Sequence, residues 1–169
     1  KNESGSYTLT AVHPEHQFLE NTIITEGKFI DQNDIINRTK VVVIGRLVEQ
    51  DLFGNERALG KFLELNGITY KVVGIFRDAG GDNEERRIYG PVSTTQLIYK
   101  NTDFIDRINM TYNKDIGVEG ARKMVGDISK ILKEKHDVAK DDRGAIFVRG
   151  IFENFEQNMQ FANVLQLIV

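Results

Sequence analysis

An α+β fold is predicted for this chain on three observations. Residues 40–76 read as a strand, a short helix and a β-hairpin in succession. Residues 104–148 read as strand, helix and strand, the helix strongly amphipathic. Strand-like alternation also occurs at the start, over Tyr7–Val12, with no neighbouring segment to pair with. Together these suggest a sheet-and-helix domain over residues 1–17 and 101–150, interrupted by an insertion over 18–100 and followed by a helical segment at 151–169.

The elements follow in chain order. Residues 1–6 are small and polar and predict a frayed end. Tyr7-Thr8-Leu9-Thr10-Ala11-Val12 is a strand that His13-Pro14 stops, so its partner must lie far away in sequence, and the sheet of the second unit is a candidate. Residues 14–22 suggest a turn or short helix, Glu26-Gly27-Lys28-Phe29 a turn, and Asp31–Asp34 a polar loop with helix-capping chemistry. The organising stretch comes next. Val41-Val42-Val43-Ile44, closed by Gly45, is apolar without alternation, as in a strand covered on both faces. Leu47, Val48, Leu52 and Phe53 share one face of a helix that Gly54 ends. Asn66-Gly67 between Phe62–Leu65 and Tyr70–Phe76 is a strong two-residue hairpin signal.

Arg77–Arg87 combines paired glycines with dense charge and predicts a solvated, mobile loop. Ile88–Val92 reads as an edge strand because Pro91 limits pairing, and Ser93 as the cap of a helix over 94–100. Phe104–Tyr112 alternates as a strand. Ala121, Val125, Ile128, Ile131 and Leu132 mark an amphipathic helix over 118–136, and Ala145–Val148 is a further strand. From Gly150 onward Ile151, Phe152, Phe155 and Met159 recur at helical intervals, and the last turns are apolar nearly all round. That gradient suits a stalk merging into a membrane span, and equally a helix docked on the core.

Composition narrows the function classes. The 169 residues carry a net charge of −3, which leaves no electrostatic footprint for nucleic acid, and no cysteine, which rules out thiolate chemistry and disulfide scaffolding. No catalytic constellation stands out. His13, Glu15 and His16 lack the HExxH spacing and a third ligand, so they read as structural or solvent-exposed. Asp78, Asp82, Asn83, Glu84 and Glu85 do not have EF-hand spacing, and no Lys-Ser or Lys-Thr follows Gly80-Gly81 to make a phosphate cradle. No GxSxG elbow is present. The chain is therefore read as non-enzymatic, with no catalytic, cofactor or metal residues.

The order of pieces carries more information than any one of them. Glu26–Ile30, Asp34, Val41–Gly45, Leu52-Phe53-Gly54, Leu59-Gly60-Lys61, Tyr70–Phe76 and Ile88–Thr94 together resemble the extracytoplasmic core domain of MacB-like, or FtsX-like, ABC transporter permeases. This resemblance covers residues from about 7 to 169. It implies a porter-like subdomain (1–17 and 101–150) interrupted by a small α/β, Sabre-like subdomain (18–100), with a stalk (151–169) leading into a membrane span. It further implies that additional residues precede Tyr7; the start at Lys1 without a methionine and the apolar stretch at 161–169 are themselves read as the ends of an excised fragment.

On this resemblance the domain is a non-catalytic part of a permease in the cell membrane, facing the extracytoplasmic side or periplasm. Binding of ATP falls to a cognate ATPase, separate or fused, on the cytoplasmic side. A second permease copy is expected as partner, and an adaptor or outer-membrane protein is a further candidate. The stalk packing is expected from Ile151, Phe152, Phe155 and Met159. Partner contacts are expected from Arg77, Asp78, Asp82, Glu84, Glu85 and Arg86. The alternative is a stand-alone periplasmic or surface binding module, which predicts a formed ligand pocket.

Overall fold

Ile68–Arg77, ten residues long, is the strand on which the first part of the molecule is built. In the computed structural model, which describes residues 5–100, 105, 107–142 and 144–150, this strand (β5) belongs to a six-stranded mixed sheet. The other strands of the sheet are β1 (Thr8–Val12), β2 (Ile23–Gly27), β3 (Val41–Gly45), β4 (Phe62–Leu65) and β6 (Arg87–Pro91). Along one path the order is β1-β6-β3-β5-β2, with β4 also paired to β5. β3 runs parallel to β5, while β2 and β4 are antiparallel to it. Because β4 takes Ile68–Lys71 and β2 takes Gly74–Arg77, the two share the edge of β5 opposite β3.

Alternation along these strands sorts the apolar residues into two layers. Val42, Ile44, Tyr70, Val72, Ile75 and Ile88 face one side, where Val48 of helix α3 (Arg46–Phe53) and Ala58 cover them. Val43, Phe76, Tyr89 and Val12 face the other, beneath Phe29 and Ile30, with Ile35 of α2 (Gln32–Ile36) beside them. This two-sided burial explains the unbroken apolar run of β3.

The hairpin is in the expected register, Leu65 opposite Ile68, with positive φ at both Asn66 (50°) and Gly67 (79°). Only a type I′ turn has that signature, and its twist matches the flanking strands. α3 spans Arg46–Phe53 as the apolar spacing predicts, and Gly54 follows at φ 60°.

Three other helices end differently. Asn21, Arg38 and Asp137 adopt left-handed φ of 53°, 50° and 55° just past α1 (His16–Leu19), α2 and α5 (Gly117–Lys135). The next residue in each case donates its N–H back to a carbonyl five positions earlier: Thr22 to Gln17, Thr39 to Asp34, Val138 to Lys133. This is the Schellman closure, built here without glycine. Asp31 and Asp34 form a reciprocal capping box at the start of α2, where the sequence suggested a polar loop with capping chemistry. Asp34 is buried, with Lys28 at 2.8 Å and the Thr39 hydroxyl at 2.7 Å.

Several expectations are corrected. β1 pairs in parallel with β6, Thr8 opposite Arg87, and so belongs to the first sheet rather than to that of residues 101–150. Its partner is indeed distant, and Leu9 and Val12 reach the two core layers from it. β6 is no edge strand, since β1 and β3 flank it; Pro91 is its last residue, where a missing N–H costs little. Residues 23–27 form β2, bulged between Ile24 and Glu26, so Glu26 and Gly27 of the turn expected over 26–29 are strand residues instead. The helix after β6 begins at Val92 as α4 (Val92–Thr95), with Pro91 as its N-cap, and continues as a π-turn over Gln96–Lys100. Ser93 is no cap; its Oγ donates to the Ile35 carbonyl at 2.6 Å, tying α4 to α2.

The chain divides into two compact units, Lys1–Met110 and Thr111–Val169. In the second, α5 is the amphipathic helix the spacing predicts, with Ala121 fully buried. The described residues within 104–112, and residues 145–148, are not strands. Alternation persists at 145–148, where Ile146 and Val148 are half-buried and Phe147 is exposed, but no ladder partner meets it among the described residues.

Two glycine-related variants separate the causes of backbone choice. A Cβ on Gly45 would lie 2.0 Å from the Glu85 carbonyl oxygen, so Gly45→Ala is expected to cost about 3 kcal/mol or more, measured by urea denaturation. Arg38→Gly relieves the left-handed strain of a side-chain-bearing residue and is expected to stabilise by about 0.5–1 kcal/mol in the same assay.

The His16 ring lies edge-on to buried Tyr89, 4.9 Å between centroids, and its Nε2 is buried without a hydrogen-bond partner among the described residues. Burial lowers the His16 pKa and raises that of Tyr89 to about 12. The unfolded chain therefore takes up the His16 proton first. Stability from this group is complete above histidine's ordinary value of about 6.5 and falls as pH drops below it, levelling once His16 is protonated in the fold. Urea midpoints compared between neutral and mildly acidic buffer should show that fall, and His16→Phe should flatten it.

Candidate functional site

Four structural features meet at one end of the sheet. β5 ends there at Arg77, β3 ends at Gly45, α3 begins at Arg46 and β6 begins at Arg87. The loop between β5 and β6 crosses this end and holds the six residues singled out as partner contacts. Its first turn is set locally: Asp78 Oδ1 accepts from the Gly80 N–H at 2.7 Å, and Gly81 takes φ 92°. Glu84 and Glu85 then donate their N–H groups to the Gly81 carbonyl, opening a 3-10 turn over Glu84–Arg86.

That turn inserts Glu85 into the protein. Its carboxylate is buried and accepts from Arg46, Nε at 2.8 Å and Nη2 at 2.7 Å, at the first residue of α3. The Glu85 backbone packs against Gly45, where no side chain would fit. Arg86 pairs with Asp51 one turn and a half further along α3, and the Tyr7 hydroxyl reaches the same carboxylate oxygen at 3.3 Å. Arg87 grips Glu84 through Nε at 2.6 Å and Nη2 at 2.9 Å. The C-terminal half of the loop is thus latched onto α3.

This corrects the expectation of a uniformly solvated, mobile loop. Glu85 is unavailable to a partner, and Arg86 is already engaged. Asp78 and Glu84 are half-buried, while Arg77, Asp82 and the tip at residues 79–83 are exposed. The basic residues Arg57 and Lys61 pair with Glu26 and Glu56, as Arg46 does with Glu85. The stalk residues Ile151, Phe152, Phe155 and Met159 lie outside the described residues.

Elsewhere, the second unit has an open groove of about 550 Å³ along the end of α5, lined by Gly126, Ser129, Lys130, Lys133, Glu134 and Val138. Lys133 is spent on the carbonyls of Lys140 and Asp142, at 2.9 and 2.5 Å. Among the described residues no three histidine, aspartate or glutamate side chains converge as a metal site would require.

The latch is asymmetric, since the Glu85 side chain is 8% exposed and that of Arg46 38%. Arg46→Ala strands a buried carboxylate and is expected to cost about 3 kcal/mol, whereas Glu85→Gln leaves a solvated guanidinium and costs about 1 kcal/mol. Denaturation midpoints check the order, and hydrogen exchange should rise across residues 78–86 in both variants.

Comparisons with known proteins agree with this architecture. The sequence pattern of the family described as MacB-like periplasmic core domain matches residues 1–128. A macrolide export ATP-binding/permease protein MacB from Wolinella succinogenes is 27% identical over 99% of this chain and 26% of its own length. One from Chlorobium luteolum is 28% identical over 75% of this chain and 20% of its own. The ABC transporter permease YvrN of Bacillus subtilis is 27% identical over 84% of this chain and 36% of its own. This chain thus spans about a quarter of the length of the MacB relatives. Among solved structures, the periplasmic region of MacB from Actinobacillus actinomycetemcomitans is similar with a TM-score of 0.70 at 21% identity, covering 93% of this chain and 67% of that one. The extracellular domain of the transporter YknZ from Gram-positive bacteria gives 0.68 at 15% identity, covering 83% and 70%. The chain belongs to the MacB-like periplasmic core domain family, the extracytoplasmic portion of ABC transporter permeases of this kind.

Proposed function

We propose that this domain is a non-catalytic, extracytoplasmic element of a membrane-embedded permease, and that it receives motion driven by ATP hydrolysis at a cytoplasmic ATPase. The observation that carries this reading is the family match over residues 1–128. Residues 151–169 act as the stalk into the membrane, with Ile151, Phe152, Phe155 and Met159 as its packing face. A second copy of the permease and an adaptor or outer-membrane protein are its partners, and the exposed loop tip at residues 79–83 is the contact for the latter. Core layers on both faces of the sheet and a loop latched to α3 suit a first unit that moves as one piece. Relatives named for macrolide export make export of a bulky small molecule the first transport activity to assay.

The test uses the full-length permease with its ATPase in intact cells. These 169 residues contain no cysteine, so single cysteines report cleanly once any in the remainder of the parent are removed. Phe18→Cys, at a position 80% exposed, should react with a membrane-impermeant maleimide before lysis. Reaction only after lysis would place the domain on the wrong side and overturn the assignment. Phe155→Cys should change its labelling rate when the ATPase is trapped with vanadate, and equal rates with and without trapping would remove the coupling.

A further inference from the structure

Asn66 and Gly67 form the whole loop of the β4–β5 hairpin, and both are exposed. Asn66 is the only asparagine of the chain followed by glycine. Leu65 and Ile68 are the last paired residues of the ladder, so the hairpin hydrogen bonds end there. Among the described residues neither the Asn66 carboxamide nor the Gly67 N–H has a hydrogen-bond partner. A Cβ placed on Gly67 would meet nothing within 4 Å, so no residue from elsewhere in the fold crowds this side of the turn.

We propose that the Asn66–Gly67 turn is a site of spontaneous deamidation, and that the isoaspartate it yields undoes the hairpin. The Gly67 backbone nitrogen gives its proton to a solvent base and attacks Asn66 Cγ. The N–Cγ bond forms, the Cγ–Nδ2 bond breaks, and ammonia leaves with a proton returned from solvent. Water then opens the resulting succinimide. Opening at the former Cγ gives aspartate; opening at the former backbone carbonyl gives isoaspartate, with the chain now running through Cγ. The balance is one water consumed and one ammonia released. Rotation of Asn66 out of its left-handed well requires only local opening of an exposed hairpin tip. At every other asparagine the following residue carries a Cβ beside the attacking nitrogen.

The consequence follows from the turn type. An isoaspartyl link lengthens the main chain by one carbon, and a two-residue type I′ loop has no slack to absorb it. The Leu65–Ile68 pair is lost first. The Leu65 carbonyl also accepts from the Tyr99 hydroxyl at 3.3 Å, and that hydroxyl is 3.4 Å from the hydroxyl of buried Tyr70. Damage at the turn therefore reaches the π-turn that carries Tyr99.

The experiment ages the purified folded protein in warm, mildly alkaline buffer and follows its tryptic peptides by mass and elution. Asn66 is alone with its ladder in the peptide Phe62–Lys71. That peptide should convert to two acidic isomers, one a substrate for isoaspartyl methyltransferase, at least about tenfold faster than the peptides bearing Asn21, Asn55 and Asn83, whose neighbours shield the nitrogen. Asn66→Gly, which keeps a turn-forming pair, should abolish both isomers and the methylation. Conversion at Asn66 no faster than at those other sites, or seen only after unfolding in urea, would overturn the proposal.

Discussion

Everything in the first unit depends on a strand that must be paired on both edges along most of its length. β5 takes β3 on one side and divides its other side between β4 and β2. That division is possible because β5 is ten residues long and its two antiparallel neighbours are short. A strand so enclosed leaves few backbone groups unpaired, and its stretch from Val72 to Phe76 has no exposed side chain on either face. The register shift between Val42 and Val43 leaves Val73 of β5 unmatched and reverses the alternation of β5, so Val72 and Ile75 both lie in the layer of Val42 and Ile44 while Phe76 lies with Val43 and Tyr89.

What could be read in the sequence was local. The apolar run of β3, the helix face of Leu47, Val48, Leu52 and Phe53, and the Asn66–Gly67 turn each declare themselves within a few residues. What could not be read depended on distance or on substitution of an unusual residue for a usual one. The partner of β1 lies some eighty residues on, in β6, and no pattern near Tyr7 specifies it. Arg46 and Glu85 are thirty-nine positions apart, so a charged loop looked solvated although one of its carboxylates is buried. Helix ends at Asn21, Arg38 and Asp137 were hidden because glycine is the residue usually sought at such positions. β2 was missed because Thr25, Glu26 and Gly27 break its alternation where the strand bulges.

The same distinction separates the parts of the candidate site. Composition identified the stretch from Arg77 to Arg87, and folding sorted it. Glu85 and Arg86 hold the loop to α3, while Asp82 and its neighbours remain outside. A loop restrained at its base and open at its tip offers a partner a pre-positioned surface, which lowers the ordering cost of contact. Arg46, unremarkable among basic residues in the sequence, is the anchor of that arrangement.

The parallel pairing of β1 with β6 also sets an order of assembly. Synthesis in the N-to-C direction makes Thr8–Val12 before the other strands of this sheet, yet the strand it pairs with ends at Pro91. Strands β2 to β5 can close among themselves meanwhile, since their pairings span residues 23–77. The earliest strand of this sheet is thus the last that can dock, and until β6 arrives it remains an unpaired, uncharged segment. The interval between those two events is when this domain is most open to capture by a chaperone or a protease.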